Sequence, residues 1–251
     1  MSGHSKWSSI KHKKAAVDAK RGKIFTKLIR EITIAAKLGG EDPEANPRLR
    51  SAVQSARSQN MPMDTVNRAI SKGIGGGEGA NYEEIIYEGF GPSSVAVVIQ
   101  VLTDNRNRTV ASIRSAFTKY NGNLGATNSV LHMFDRKGTI SLSKASIDED
   151  TLTELILDAG AEDLESGEED YLIICSVEDF EAVKAALEAK GLEIKQAEMA
   201  RLPHSKTIIS DREDAEKVIG FLETLEEDDD VQKVFSNFDI DDAVLAELSR
   251  T

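Results

Sequence analysis

Apolar positions change their spacing several times along the chain, and each change marks an expected element. After Met1, residues 1–23 offer only Trp7, Ile10 and Val17 as sizeable apolar side chains. These are too few for a buried helical stripe, so the segment is expected to be an arm that orders on binding. From Ile24 the spacing becomes helical: Ile24, Phe25, Leu28, Ile29 and Ile32 recur at three and four residues, and the run stops at Gly39-Gly40. Asn46-Pro47 reads as a cap followed by proline at the first helical position, with Leu49, Val53 and Ala56 as the inner face. Pro62 opens a third helix, with Val66, Ala69 and Ile70 inward and Gly73 closing it. Glycines at 73, 75, 76, 77 and 79 then suit a linker.

Beyond the glycines, β-branched runs predict strands at Ile85–Tyr87 and Val95–Leu102, a helix carrying Val110, Ile113 and Phe117, and a strand at Val130–Phe134. Residues 139–200 predict strand (139–142), helix (148–159), two strands (162–165 and 171–176), helix (178–190) and strand (192–200). That βαββαβ order is the pattern of a ferredoxin-like split βαβ domain. The flanks, 95–134 and 207–235, each read strand, helix, strand, and joined they would make a second βαββαβ unit. The expected class is therefore α+β in three domains. Residues 1–23 form a basic arm and 24–79 a helical domain with its Gly-rich linker; 80–134 plus 203–251 form one α/β domain, into which 135–202 is inserted.

Charge sharpens this picture. The net charge is -12 over 251 residues, but residues 1–80 hold 15 Lys and Arg against 7 acids, while the remainder holds 16 against 36. Residues 1–30 carry nine cations and the single acid Asp18. Such a division is the footprint of a chain whose beginning meets a polyanion. Lys6, Lys11, Lys13, Lys14, Lys20, Arg21 and Lys23, with His12 among them, are the expected phosphate contacts. Each phosphate they neutralise releases condensed counterion, giving affinity without sequence readout. Trp7 adds a flat π-face on which an unstacked base could sit. The alternatives for the arm are a solvated tail and a membrane-surface segment.

A second candidate lies in Thr103-Asp104-Asn105-Arg106-Asn107-Arg108-Thr109, between a strand and a helix. Arg106 and Arg108 would stand in the first helical turn, where cations oppose the macrodipole, so an anion should compensate them. That anion is either a bound phosphate or an internal acid, Asp104 or one from another element.

Catalytic readings find no support in the residues. His4, His12, His132 and His204 lack metal-ligand spacing. The glycines at 73–79 lack the Lys-Ser/Thr ending of a phosphate loop, Gly89-Phe90-Gly91 lacks a third glycine, and no nucleophile elbow is present. No catalytic residue, metal or cofactor is expected. Eleven acids with no Lys or Arg in residues 148–170 read as a solvated face, or as a docking surface for basic proteins. One cysteine, Cys175, permits no intrachain disulfide and sits in an apolar run, consistent with a reducing cytoplasm. No apolar run is long enough to cross a bilayer and the amino terminus lacks a secretory signal's apolar stretch, so a cytoplasmic protein with no membrane partner is expected.

Several segments together resemble one family. They are Gly3-His4-Ser5-Lys6-Trp7, Ile10-Lys11-His12-Lys13-Lys14, Arg21-Gly22-Lys23 with Phe25, Asn60-Met61-Pro62, Arg68-Ala69-Ile70, Tyr87-Glu88-Gly89-Phe90-Gly91-Pro92, Leu102 through Thr109, Asn123-Leu124-Gly125 and Ser129-Val130. In this order they are similar to the YebC family of probable transcriptional regulatory proteins, which includes mitochondrial translational activators. The resemblance implies a helical first domain followed by two α/β domains, one inserted, with no catalytic activity and no cofactor. It also implies nucleic-acid partners, either DNA in transcription control or ribosomal RNA and the ribosome in translation, and leaves that choice open. Ser93-Ser94 and Asn128 stand where the resemblance leads one to expect glycines, which bears on local backbone shape.

Overall fold

The computed structural model describes residues 17–75 and 81–248, with side chains from residue 22 onward. In chain order, helices α1 (Val17–Gly39), α2 (Pro47–Ser58) and α3 (Met63–Ile74) come first. Strands β1 (Glu83–Phe90) and β2 (Ala96–Thr103), helix α4 (Arg106–Lys119) and the short β3 (Asn123–Leu124) follow. Then come β4 (Phe134–Ser143), α5 (Glu149–Asp158), β5 (Ala161–Ser166), β6 (Asp170–Cys175), α6 (Phe180–Ala189) and β7 (Ile194–Pro203). The chain continues through β8 (Thr207–Ile209), α7 (Arg212–Glu226), β9 (Val231–Ser236), β10 (Phe238–Ile240) and α8 (Asp242–Leu248). The described residues fall into two compact units, one within Lys13–Ser129 and Glu213–Val234, the other within Val130–Arg212 and Phe235–Thr251.

In the first unit, α1 is the post on which α2 and α3 pack, because its apolar stripe faces both. Ile32, Ala35 and Ala36 are buried with Leu49, Val53, Ala56, Val66 and Ala69. Asn46 joins the end of α1 to the start of α2. Its Oδ1 accepts from the Leu49 N–H at 3.1 Å, and its Nδ2 donates to the Ala35 and Gly40 carbonyls at 2.8 and 2.9 Å. Arg48 ties the same corner to the sheet, donating through Nε to Glu31 at 2.7 Å and through Nη2 to Glu84. The sheet runs β3-β1-β2-β9, with β1 and β2 antiparallel from Glu83↔Thr103 to Phe90↔Ala96. Strand β2 is buried almost throughout, as its Val and Ile content requires. Phe117 of α4 meets Phe221 of α7 edge to face, with ring centroids 4.9 Å apart.

In the second unit an antiparallel sheet of order β5-β6-β4-β7 packs its apolar face on α5 and α6. Ile140, Leu142, Leu152, Ile173, Val183 and Leu187 fill this core. Cys175 lies buried in it, and burial pushes its thiol up to about 11, so it packs as a small apolar group. Strands β8 and β10 pair in parallel as a separate two-stranded sheet.

Several expected boundaries move. The first helix is already formed at Val17, within the expected arm, because Ala19, Lys20 and Arg21 are good helix formers. Gly73 does not close α3. It lies inside the last turn, where a Cβ would stand 2.4 Å from the Thr33 carbonyl, so its lack of a side chain is what lets α3 approach α1. Of the Val130–Phe134 run only Phe134 is in a strand, as the first residue of β4: Leu131–Met133 form a tight turn closed by the Met133 N–H on the Val130 carbonyl at 2.9 Å. A short apolar run does not by itself distinguish turn from strand. The flanking segments also do not build a second βαββαβ sheet, since β8 pairs with β10 and β1 takes a full place in the first unit's sheet. Ser93, Ser94 and Asn128, at the three positions where glycine was expected, have φ of 53°, 60° and 65°, in the left-handed region that favours glycine.

Two stability effects follow. Gly73→Ala should lower unfolding free energy by about 1–3 kcal/mol, because the new methyl separates two packed helices. Ser93→Gly should raise it by up to about 1 kcal/mol, relief of left-handed strain being partly offset by unfolded-state entropy. Urea unfolding of each variant beside the parent measures both.

Candidate nucleic-acid interface

Of the expected site residues, Lys6, Trp7, Lys11, His12, Lys13 and Lys14 lie outside the described residues. Lys20 and Arg21 belong to the backbone of α1, and their side chains are not described. Lys23 is exposed on the same helix, where it begins a cationic stripe with Lys27 and Arg30, spaced at four and three residues so that they share one face. This stripe meets the end of α7. Lys23 Nζ donates to the Glu227 carbonyl at 3.2 Å and Lys27 Nζ to the Glu226 carbonyl at 2.7 Å. Arg30 donates to the Asp229 carbonyl and, at 2.8 Å, to Oδ1 of Asp230. Carbonyls at a helix end have no intrahelical donors and carry the negative pole of the macrodipole, so cations satisfy both needs there.

Asp230 is the centre of this arrangement. Its side chain is 4 % exposed and receives donors from three elements. Arg108 of α4 approaches with Nη2 at 2.7 and 2.9 Å and Nε at 3.2 Å, and Thr109 Oγ1 donates at 2.6 Å. Thr103 Oγ1, at the end of β2, lies 3.2 Å away. Burial alone would push the Asp230 carboxyl up, but hydrogen bonds from Thr109 and Arg108 and the charges of Arg30 and Arg108 hold it below its ordinary value of 3.8. Hydrogen bonds to Asp230 and Asp104 raise the pKa of Arg108 in turn.

The Thr103–Thr109 segment thereby acquires a local explanation. Asn105 caps α4, its Oδ1 accepting from the Arg108 N–H at 3.0 Å, and its own N–H donates to Thr103 Oγ1 at 2.9 Å. Arg108 holds Asp104 at 2.9 Å and Asp230 together, so the compensating anion for this guanidinium is internal. Arg106 stands apart from that network, exposed in the first turn of α4 beside the Tyr87 hydroxyl, whose pKa burial raises and Arg106 opposes. Lys27, Arg30 and Asp230 were not singled out from the sequence. The available signal was the run Glu226-Glu227-Asp228-Asp229-Asp230 immediately after a helix, which calls for cations from elsewhere in the chain. Among the described residues, no group of three or more His, Cys, Asp or Glu could hold a metal, and no helix is long and apolar enough to cross a membrane.

Removing one partner from a buried charged cluster leaves the others uncompensated, so Asp230→Asn should cost about 3 kcal/mol of stability. Because the folded-state pKa lies below the unfolded one, the Asp230 contribution is complete above the ordinary carboxylate range and is lost as pH falls through the folded value. Unfolding measured from neutral pH down to about pH 3 should therefore show a shallower acid limb in Asp230→Asn than in the parent.

Comparison with known proteins agrees across the chain. Residues 5–76 match the TACO1/YebC protein N-terminal domain, and residues 82–238 match the TACO1/YebC second and third domain. A probable transcriptional regulatory protein of Desulforapulum autotrophicum is 54% identical over 244 residues, covering 97% of this chain and 98% of that protein. Another from Desulfotalea psychrophila is 51% identical and covers 99% of this chain and 100% of its own. The crystal structure of a conserved hypothetical protein from Aquifex aeolicus superposes with a TM-score of 0.84 at 48% identity, covering 91% of this chain and 94% of that one. With both family models placed in order and relatives matching end to end, the chain belongs to the TACO1/YebC family of probable transcriptional regulatory proteins.

Proposed function

We propose that this protein is a regulator of gene expression that binds nucleic acid through its basic amino-terminal arm. The observation that carries this reading is the division of charge, with nine cations and one acid in residues 1–30 of a chain whose net charge is -12. Lys6, Lys11, Lys13, Lys14, Lys20 and Arg21 supply phosphate contacts, with Trp7 and His12 between them. Lys23 and Arg108 are tied to the fold by the bonds above, so Arg106, exposed in the first turn of α4, is the second contact that remains outward. The relatives' description as probable transcriptional regulatory proteins favours DNA as the target. Trp7 favours a second reading, ribosomal RNA and translation, because a lone aromatic among cations suits unstacked bases.

The domain plan belongs to the same proposal. Residues 135–202 are a ferredoxin-like domain inserted between 80–134 and 203–251, a reading supported by the antiparallel order β5-β6-β4-β7. The acidic side chains concentrated there repel phosphates within a Debye length of about 8 Å, which leaves the arm as the productive contact and suits a basic protein as a further partner. A reducing, cytoplasmic setting fits the single buried cysteine.

Replacing Lys6, Lys11, Lys13 and Lys14 with glutamine should weaken binding at low salt and flatten the plot of log K against log salt by about three units, at 0.7–0.9 per lost phosphate contact. Co-sedimentation with ribosomes beside gel shifts on duplex DNA, each over a salt series, measures the slope and separates the two readings. An unchanged slope on both targets would remove the arm from the mechanism.

A further inference from the structure

The acids that follow α7 divide into those the fold uses and those it does not. Asp230 is buried and bonded as described above, and Asp228 accepts from Ser112 Oγ at 2.5 Å and from the Asp230 N–H at 2.9 Å. Glu227 and Asp229 differ from these: both are exposed, and neither carboxylate makes a hydrogen bond or ion pair among the described residues. What they give the fold is main chain. The Glu227 carbonyl accepts from Lys23 Nζ at 3.2 Å and the Asp229 carbonyl accepts from Arg30. Any residue supplies a carbonyl, so neither contact calls for an acid. Negative charge just past the carboxy-terminal end of a helix also opposes the macrodipole, so these two carboxylates sit where helix stability alone would not put them.

Their effect falls on the cations beside them. Lys23 is exposed, and Lys27, four residues on, shares its face of α1, where such pairs stand about 5–6 Å apart at Cβ. Both ammonium groups donate to carbonyls, which satisfy a donor without neutralising its charge. The offsetting charge comes from Glu227 and Asp229, whose own carbonyls touch Lys23 and Arg30, so they act within a Debye length of about 8 Å. Along the helix, Lys23 and Lys27 directly continue Lys20 and Arg21, which the reading above assigns to phosphate. We propose that Lys23 and Lys27 are a second phosphate-binding face, continuous with the arm, which Glu227 and Asp229 hold closed to polyanions. The carbonyls occupy the donors, the carboxylates repel phosphate, and the grip on the polymer stops at Arg21. Each phosphate left unneutralised keeps its counterion, so the stop makes binding weaker and more readily reversed. This inference rests on the nucleic-acid reading and adds to it the residues that limit the contact.

Fluorescence anisotropy on the full chain over a salt series tests it, with an unpaired oligoribonucleotide and duplex DNA as probes. Three proteins are compared: the parent, Glu227→Gln with Asp229→Asn, and those two substitutions together with Lys23→Gln and Lys27→Gln. The acid-neutral variant loses no bonded carboxylate, so its urea midpoint should match the parent's. It should bind more tightly at low salt, and its plot of log K against log salt should steepen by about 1.5 units, for two added phosphate contacts at 0.7–0.9 each. That steepening should appear on whichever probe the parent retains, because phosphate contacts carry no sequence information. The fourfold variant should return to the parent's slope. No steepening in the acid-neutral variant would overturn the closed face. So would a steepening that survives replacement of both lysines, which is general relief of repulsion, or a fourfold slope well below the parent's, which means the lysines were already open. Each of these results leaves the arm reading intact. A parent that retains neither probe would overturn both.

Discussion

A carboxylate buried away from water must find compensation inside the fold, and in this protein Asp230 finds it from three directions. Arg30 comes from the first helix, Arg108 and Thr109 from α4, and Thr103 from the end of β2. Losing any one of these partners leaves charge in a low-dielectric site, which costs far more than an exposed ion pair contributes. The helices and the sheet of the first unit are thus joined by a constraint that apolar packing alone would not impose. Hydrophobic contact is tolerant of small slides, whereas a carboxylate that receives a two-nitrogen guanidinium fork and a hydroxyl accepts few arrangements.

That constraint also sorts the chain's cations into two groups. Lys23, Lys27 and Arg30 look, in sequence, like the continuation of the basic arm. In the fold they cap the carbonyl end of α7 and hold its acidic turn, so their charge is spent on structure. The cations that precede them have side chains outside the described residues and are the ones proposed for phosphate. The same acidic turn that secures α1 would repel a polyanion approaching it, which fits the proposal that contact is made by the arm and the first turn of α4.

Much of the fold could be read from residue spacing because the relevant signals are local. The Asn46-Pro47 cap, the apolar faces of α2 and α3, and the strand and helix order from Thr139 to Ala200 depend on neighbours a few residues away. At Ser93, Ser94 and Asn128 the resemblance flagged only that backbone shape was in question; the left-handed conformation itself was not read from the sequence. What failed was non-local. Whether Thr207–Ile209 joins a large sheet or pairs with Phe238–Ile240 depends on which edge is open, and no spacing records that. Gly73 reads as a helix stop in one dimension and as a helix contact in three. The Thr103–Thr109 segment showed that an anion was needed and offered Asp104, which Arg108 holds, but the second acid, Asp230, could not be named because it lies more than a hundred residues away.

The division between structural and binding cations can be examined most directly by amide hydrogen exchange on the full chain, with and without an unpaired oligonucleotide at low salt. The account predicts new protection in residues 1–21, with the Lys23–Arg30 stretch and residues 134–203 unchanged. Protection confined to the acidic residues 134–203, or release of the Glu226–Asp230 turn on binding with the arm unaffected, would contradict it.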